Sequence, residues 1–472
     1  MKKLLGETII YGIGAILPRI ITFLLNPLYI YYIDKEAYAQ FTNLYSWIAL
    51  INVVLTFGFE TSFFRFSAEK ENQSKAFNTS FWFIFFLSSV FLLAVSVFNN
   101  PLSVHLDYAK NPEFLTWFAF IAFFDALCVI PFAWLRFNSM PIKYTAIRVT
   151  SILLQTVIVI AFFKFIPKDT LETFGLKGQV SYPFISNLIA SLFTFLLLLP
   201  IVLKVKFQFS KALFKRMISY SYPIMFAGLA FMVNENFDKI IQYYQIPKAD
   251  AGAYGGCYKL AVLMTLFVTA YRMGIEPYFF KQMNNENAKI TYAKVTEYFS
   301  FFASMVAMGI IANIFWLKKL FITDSSYWTA IDIVPIIVIA NLCFGIYYNL
   351  STWYKVIDKT HYGTAISWIG AGITIILHLL FLKKYGFMVS AWVTFIAYFI
   401  MMVLSYFLGQ KHYPIPYRIG KISFFILLLM IFSFISVRYF HYNFWLSNIL
   451  FVIYCGIVIY SEKQFILSKI KK

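Results

Sequence analysis

Apolar runs of about twenty residues, each long enough to cross a bilayer as a helix, recur along the whole chain. They fall at 7–32, 36–60, 76–98, 113–135, 144–163, 180–203, 216–244, 249–272, 293–317, 329–353, 361–382, 386–408, 421–440 and 444–460. Clusters of charged and turn-forming residues separate them, notably Asn99-Asn100-Pro101, Lys164 to Gln179, Lys204 to Arg216, Lys281 to Lys294 and Lys411 to Lys421. The pattern predicts an all-α membrane protein of about 14 transmembrane helices. Pro18, Pro27, Pro131, Pro223 and Pro335 lie inside runs, where neighbouring helices can satisfy the carbonyls that a proline frees. No connection exceeds roughly seventeen residues, which leaves no place for a soluble domain or for the large catalytic loop of a membrane glycosyltransferase.

Composition agrees. Of 472 residues, 61% are hydrophobic, 21% aromatic and 13% charged, whereas about a quarter of a soluble domain is charged. Cys128, Cys257, Cys343 and Cys455 fall inside apolar runs without metal-ligand spacing, as small hydrophobes rather than a disulfide framework. The basic N-terminal start lacks a small-residue cleavage site, so the first helix is expected to be retained. A net charge of +19 would suggest nucleic acid in a soluble protein, but here the cations sit between apolar runs. They report topology and contact with anionic membrane lipids instead. The termini and even-to-odd connections carry 24 Lys and Arg against 12 on the opposite connections, which places both termini in the cytoplasm.

The chain repeats itself. Tyr31-Tyr32 recurs as Tyr243-Tyr244, and Lys35, Ala39, Phe41 and Tyr45 correspond to Lys248, Gly252, Tyr254 and Tyr258 at an offset of 213. Glu60-Thr-Ser-Phe-Phe-Arg65 matches Glu276-Pro-Tyr-Phe-Phe-Lys281 at 216, and Trp134-Leu-Arg136 matches Trp353-Tyr-Lys355 at 219. An even number of helices per repeat makes the halves parallel, related about an axis along the membrane normal. The expected organisation is a six-helix lobe over 1–210, a second over 211–410, and helices 13 and 14 with a basic tail over 411–472. Two such lobes around a central cavity suit an alternating-access machine.

Short motifs carry a family resemblance. Pro18-Arg19-Ile-Ile-Thr-Phe-Leu-Leu-Asn-Pro27-Leu-Tyr resembles the opening helix of polysaccharide flippases in the multidrug/oligosaccharidyl-lipid/polysaccharide exporter superfamily. Gly58-Phe-Glu60-Thr-Ser-Phe-Phe-Arg65 resembles the end of helix 2 in their O-antigen-type branch. Asn236-Phe-Asp238-Lys239 with Tyr258-Lys259-Leu-Ala261 resembles their helix 7 to helix 8 connection, although the Asn234-Glu235-Asn236 cluster departs from the pattern. The resemblance implies a bacterial inner-membrane flippase that moves an undecaprenyl-pyrophosphate-linked oligosaccharide, a cell-surface polysaccharide or lipopolysaccharide O-antigen unit, between leaflets. Polysaccharide polymerase and assembly proteins would be its partners, without a cofactor or metal.

Charged groups inside apolar runs are costly, about 2.5–3.5 kcal/mol each at a helix centre, and they face a bundle interior or water. Arg19 is a candidate phosphate ligand, since a guanidinium forks onto phosphate oxygens, or else half of a structural ion pair. Lys259 is a second candidate; Arg148 is a third, close enough to the surface to snorkel. Glu60, Arg65, Glu276 and Lys281 occupy repeat-equivalent helix ends and are candidates for gating, while Arg272 and Glu276 have the spacing of an i,i+4 pair. Asp125, Glu235 and Asp238 are candidate proton or cation carriers. Gly252 and Gly256 have the spacing of a close helix contact.

No Walker loop, Gly-x-Ser-x-Gly elbow or His-rich site occurs, and of the five His only His378 lies in a run, so no enzyme chemistry is expected. A cation-coupled multidrug exporter on the same architecture is the competing reading, kept open by the three in-span carboxylates. Reporter fusions after Lys75, Lys211 and Lys472 should read cytoplasmic and one after Gln179 the opposite side; any of the first three reading outside would overturn the fourteen-span count.

Overall fold

The computed structural model describes residues 2–206, 208–283 and 285–462, without the side chains of 2–9, Lys70, Pro277 and Phe280. The basic tail beyond Glu462 and the side chains of Lys2 and Lys3 lie outside the described residues. In hydrocarbon each backbone N–H and C=O must find a partner within its own segment, which selects helix. Among the described residues 14 helices are long and apolar enough to span a membrane. They are α1 Ile10–Tyr32, α2 Lys35–Ser67, α3 Gln73–Val97, α4 Glu113–Phe137, α5 Pro141–Lys164, α6 Ser181–Val202 and α7 Lys211–Gln245. The others are α8 Lys248–Glu276, α9 Ala288–Ala312, α10 Ile333–Val356, α11 His361–Tyr385, α12 Met388–His412, α13 Ile419–Arg438 and α14 Phe444–Ser461. Each coincides with one apolar run of the sequence.

Three of these helices are interrupted, α10 at the single residue Ser351 between Ile333–Leu350 and Thr352–Val356. Helix α1 breaks at Leu25, two residues before Pro27, which has no N–H to offer the preceding turn. The short helix Asn26–Tyr32 is then held by its first side chain: Asn26 donates to the Phe321 carbonyl at 3.0 Å and accepts from the Tyr38 hydroxyl at 2.7 Å. Helix α2 breaks at Phe57 and Gly58, both left-handed with φ of 51° and 69°. Gly58 is required twice over, because a Cβ there would stand 2.9 Å from the Ser221 carbonyl. Its repeat partner Gly274 sits inside an unbroken helix, Lys248–Gln282.

Packing separates the chain into two compact units: residues 1–25 with 40–236, and residues 26–39 with 237–472. The division follows spatial contact and differs from the repeat boundary, because the segment 26–39 packs with the second unit. Within unit 1, α4 packs on α3 and α6, and α6 on α5; within unit 2, α10 packs on α9 and α12, and α12 on α11. The same pairings thus recur at repeat-equivalent positions. The ring pairs recur too: Phe41 and Tyr45 lie 4.8 Å apart, and their equivalents Tyr254 and Tyr258 5.9 Å. Helices α13 and α14 pack on α9 and on each other.

Lipid tails are as apolar as leucine, so helix association relies on close van der Waals fit and hydrogen bonds. The Gly252 and Gly256 spacing serves that purpose: a Cβ at Gly252 would collide with the Lys35 carbonyl, and one at Gly256 would stand 2.6 Å from Tyr327 and 2.8 Å from Ile30. The Tyr327 hydroxyl also donates to the Ile33 carbonyl at 2.7 Å. Gly252→Ala should therefore destabilise the fold by about 2 kcal/mol or more, while Gly372→Ala, at an open position on α11, should be neutral or better. Equal melting temperatures for the two variants would refute this account of the contact.

Candidate functional site

Unit 1 holds a cavity of about 360 Å³ with a mixed polar and apolar wall among otherwise apolar helices. Asp125 of α4 and Arg148 of α5 both line it. Ser191 of α6 donates to Asp125 Oδ1 at 2.8 Å. The Arg148 guanidinium lies over the Phe132 ring at 4.3 Å, a cation–π contact. Among the described residues Arg148 has no direct ion pair; Asp125 lies only within electrostatic reach. The rest of the wall mixes amides and hydroxyls (Asn52, Thr56, Gln155, Asn187, Ser151 and Thr194) with the apolar Cys128, Val129, Phe132, Ile152 and Ala190. The Ser151 and Thr194 hydroxyls are 2.7 Å apart, and Asn187 donates to Tyr45 at 3.1 Å. Asn52 Oδ1 lies in the wall without a hydrogen-bond partner. Arg19 is exposed on α1, while its neighbour Pro18 contributes to the cavity wall. The structure therefore places Arg148, rather than Arg19, as the guanidinium of this cavity.

Unit 2 carries a second polar cluster. Asp238 of α7 is buried and accepts from the Tyr254 hydroxyl at 2.6 Å and from Lys239 Nζ at 3.0 and 3.1 Å. Lys239 also sits 3.7 Å from the centre of the Tyr258 ring. Lys259, half-buried on α8, lies within electrostatic reach of Lys239 and has no carboxylate partner among the described residues. Beside this group His378 of α11 bonds the Thr374 carbonyl through Nδ1 at 2.7 Å and the Ser390 hydroxyl through Nε2 at 3.0 Å. Gln242 donates to the same hydroxyl at 2.7 Å, and because a carbonyl can only accept, the Nδ1 facing Thr374 carries a hydrogen. The sequence shows His378 as an in-span histidine but carries no signal for Ser390 of α12, or for Gln242 of α7 that bonds the same hydroxyl. Glu235, half-buried one turn before Asp238, belongs to unit 1. Among the described residues no group of three or more His, Cys, Asp or Glu gathers as a metal site.

The candidate gating residues have partners that sequence spacing did not reveal. Glu60 pairs with Arg136, and its repeat equivalent Glu276 pairs with Lys355 at 3.0 Å. Arg136 and Lys355 are themselves repeat equivalents, so both units tie the end of α2 or α8 to the end of α4 or α10 by the same acid–base pair. The expected bridge between Arg272 and Glu276 is corrected: Arg272 lies over the Tyr348 ring at 4.1 Å instead, because Lys355 reaches the carboxylate from α10. Arg65 stacks over Tyr220 at 4.6 Å, and Lys281 is exposed.

With this geometry in view, the chain can be compared with known proteins. The family described as polysaccharide biosynthesis protein matches residues 4–283. A protein of the Lsg locus of Haemophilus influenzae is 20% identical over 321 residues, 67% of this chain and 74% of that protein. Among solved structures, the lipid II flippase MurJ in an inward closed conformation superposes with a TM-score of 0.77 at 17% identity, covering 97% of this chain and 100% of its own. An inward-facing multidrug resistance MATE family transporter gives 0.64 at 12% identity, covering 88% and 95%. These likenesses establish a transporter fold.

The duplicated acid–base pairs offer a direct test. Both partners of the α8–α10 pair are partly exposed, so the bond contributes about 1 kcal/mol at most. Glu276→Lys and Lys355→Glu should each lower the melting temperature, and the double exchange should recover most of the loss. Additive losses in the double variant would show that the two side chains do not act as a pair.

Proposed function

The chain belongs to the polysaccharide biosynthesis protein family, and from that premise we propose that it flips a polyprenyl-pyrophosphate-linked oligosaccharide between leaflets of the bacterial inner membrane. The observation that carries this reading is the unit 1 cavity. A site built to export lipophilic cations would be lined by apolar and acidic groups. This one has six apolar residues and a single acid in its wall, but also seven amide or hydroxyl side chains and an arginine, the chemistry that exchanges hydrogen bonds with sugar hydroxyls. Arg148 adds a planar fork suited to phosphate oxygens, and Lys259 is an in-span ammonium with no carboxylate partner among the described residues. A buried cation of that kind calls for an anionic ligand. Arg19 is a further phosphate ligand on this proposal.

The substrate would be a cell-surface polysaccharide or O-antigen unit, and transport would proceed by alternating access. With both termini in the cytoplasm, as the basic loops indicate, the membrane potential assists outward movement. Carrying one negative charge out across 100 mV contributes about 2.3 kcal/mol. The second reading, a cation-coupled multidrug exporter, draws on the MATE family likeness and on Asp125, Glu235 and Asp238, which under either reading are candidates for ion coupling. Glu60, Arg65, Glu276 and Lys281 remain candidates for gating, the two acids through their pairs with Arg136 and Lys355.

Charge-assisted hydrogen bonds are worth about 1.5–3 kcal/mol each, so Arg148→Ala, Lys259→Ala and Arg19→Ala should each weaken binding of a polyprenyl pyrophosphate by roughly tenfold or more. Arg148→Lys should recover part of the loss, because an ammonium keeps the charge without the fork. The measurement is lipid titration by native mass spectrometry beside a thermal melt. Unchanged affinity in well-folded variants would remove the phosphate-binding reading.

A further inference from the structure

A second pocket, polar and about 390 Å³, lies in unit 2 and shares no lining residue with the cavity or the cluster described above. It forms where the first turns of α9, the approach to α13 and the last turn of α14 meet, and its wall includes Lys294, Glu297, Tyr298, Arg418, Lys421 and Glu462. All three helix ends adjoin the connections and terminus that carry the basic excess. Neither lobe of the repeat supplies α13 or α14, so the pocket is peculiar to the added helices.

The charges in it are of two kinds. Lys421 pairs directly with Glu462 and stands 3.4 Å from Glu297 Oε1. Glu297 is only 6% exposed, and its Oε1 has no hydrogen bond; the approach of Arg418 at 3.6 Å is an ion contact without one. The carboxylate oxygen therefore still lacks a donor. On the outer side Arg418, 70% exposed, and the exposed Lys294 present cationic groups to the pocket mouth. A ligand that satisfies both carries a phosphate for the arginine and lysine and an N–H or O–H donor for Glu297, and an ammonium meets that carboxylate with charge as well as a donor.

Position supplies the rest. Helix α14 is the least covered of the spanning helices, with 17% of its apolar window buried. Its exposed Ile449, Val452, Ile453, Ile459 and Tyr460 lead from the membrane interior toward the pocket. An acyl chain laid along that face brings its headgroup to the pocket at the depth of the polar interface.

We propose that this pocket binds the headgroup of a zwitterionic phospholipid with a primary ammonium, that of phosphatidylethanolamine, its phosphate on Arg418 and Lys294 and its ammonium on Glu297. The site stands apart from the proposed transport substrate and holds whether or not that substrate is correctly identified. The test uses the full-length protein in detergent micelles doped with phosphatidylethanolamine, phosphatidylcholine or phosphatidylglycerol, each melt referred to the same variant without lipid. Phosphatidylethanolamine should raise the midpoint by about 3 °C or more and exceed the other two, since phosphatidylcholine has no N–H donor and phosphatidylglycerol no cation. Glu297→Gln should abolish that preference, and Arg418→Ala with Lys294→Ala should remove the increment while leaving the lipid-free melt within a few degrees of wild type. Equal increments from the three lipids in the wild type, or an unchanged preference in Glu297→Gln, would overturn the proposal.

Discussion

Hydrocarbon gives a polar group nothing to bond to, and the structure is organised by that constraint. It makes the backbone helical, since only a helix satisfies its own amides within a segment. It limits charged side chains to places where a partner, a ring face or a polar cavity receives them. Asp125 has Ser191, Asp238 has Tyr254 and Lys239, and Arg148 has the face of Phe132 and the unit 1 cavity. The interruptions obey the same rule: the break before Pro27 is stitched by Asn26, Tyr38 and the Phe321 carbonyl.

Duplication explains why these solutions come in pairs, and divergence explains why they now differ. The Glu60–Arg136 and Glu276–Lys355 bonds preserve one helix-end contact in both units although the base has changed from arginine to lysine. The interruption is asymmetric: α2 is broken at Phe57 and Gly58, whereas the helix through Gly274 is unbroken. The polar chemistry has diverged further, into a cavity with amides and hydroxyls in its wall in unit 1 and a compact Asp–Lys–Tyr and His–Ser–Gln network in unit 2.

The spanning helices were legible because a run of twenty apolar residues has few other interpretations in a chain this poor in charge. The in-span charges were legible as anomalies, and Asp125 and Arg148 do meet at one cavity. Their surroundings were not legible. Ser191 lies 66 residues from Asp125, and Ser390 lies 12 from His378 and 148 from Gln242. Only the packing of helices brings such residues together, and periodicity along one helix carries no information about which neighbour it meets. The misread partner of Glu276 shows the same limit. Arg272, four residues away, fits the local rule, but Lys355 arrives from α10 and Tyr348 offers Arg272 its ring face. The repeat alignment already contained the correct partners, Arg136 and Lys355, as conspicuous matches without a stated reason for their recurrence.

The account rests on a membrane-embedded site suited to an anionic, sugar-bearing lipid rather than to a lipophilic cation. Its most direct test is leaflet movement by the wild-type protein in proteoliposomes. A polyprenyl-pyrophosphate oligosaccharide is placed in one leaflet, and its exposure on the other is followed with a membrane-impermeant glycan-cleaving enzyme. The account predicts protein-dependent exposure, faster when the potential is negative on the side from which the lipid departs, and unaffected by cationic drugs. Failure to move the glycolipid, in vesicles where the same protein exports a cationic drug, would contradict it.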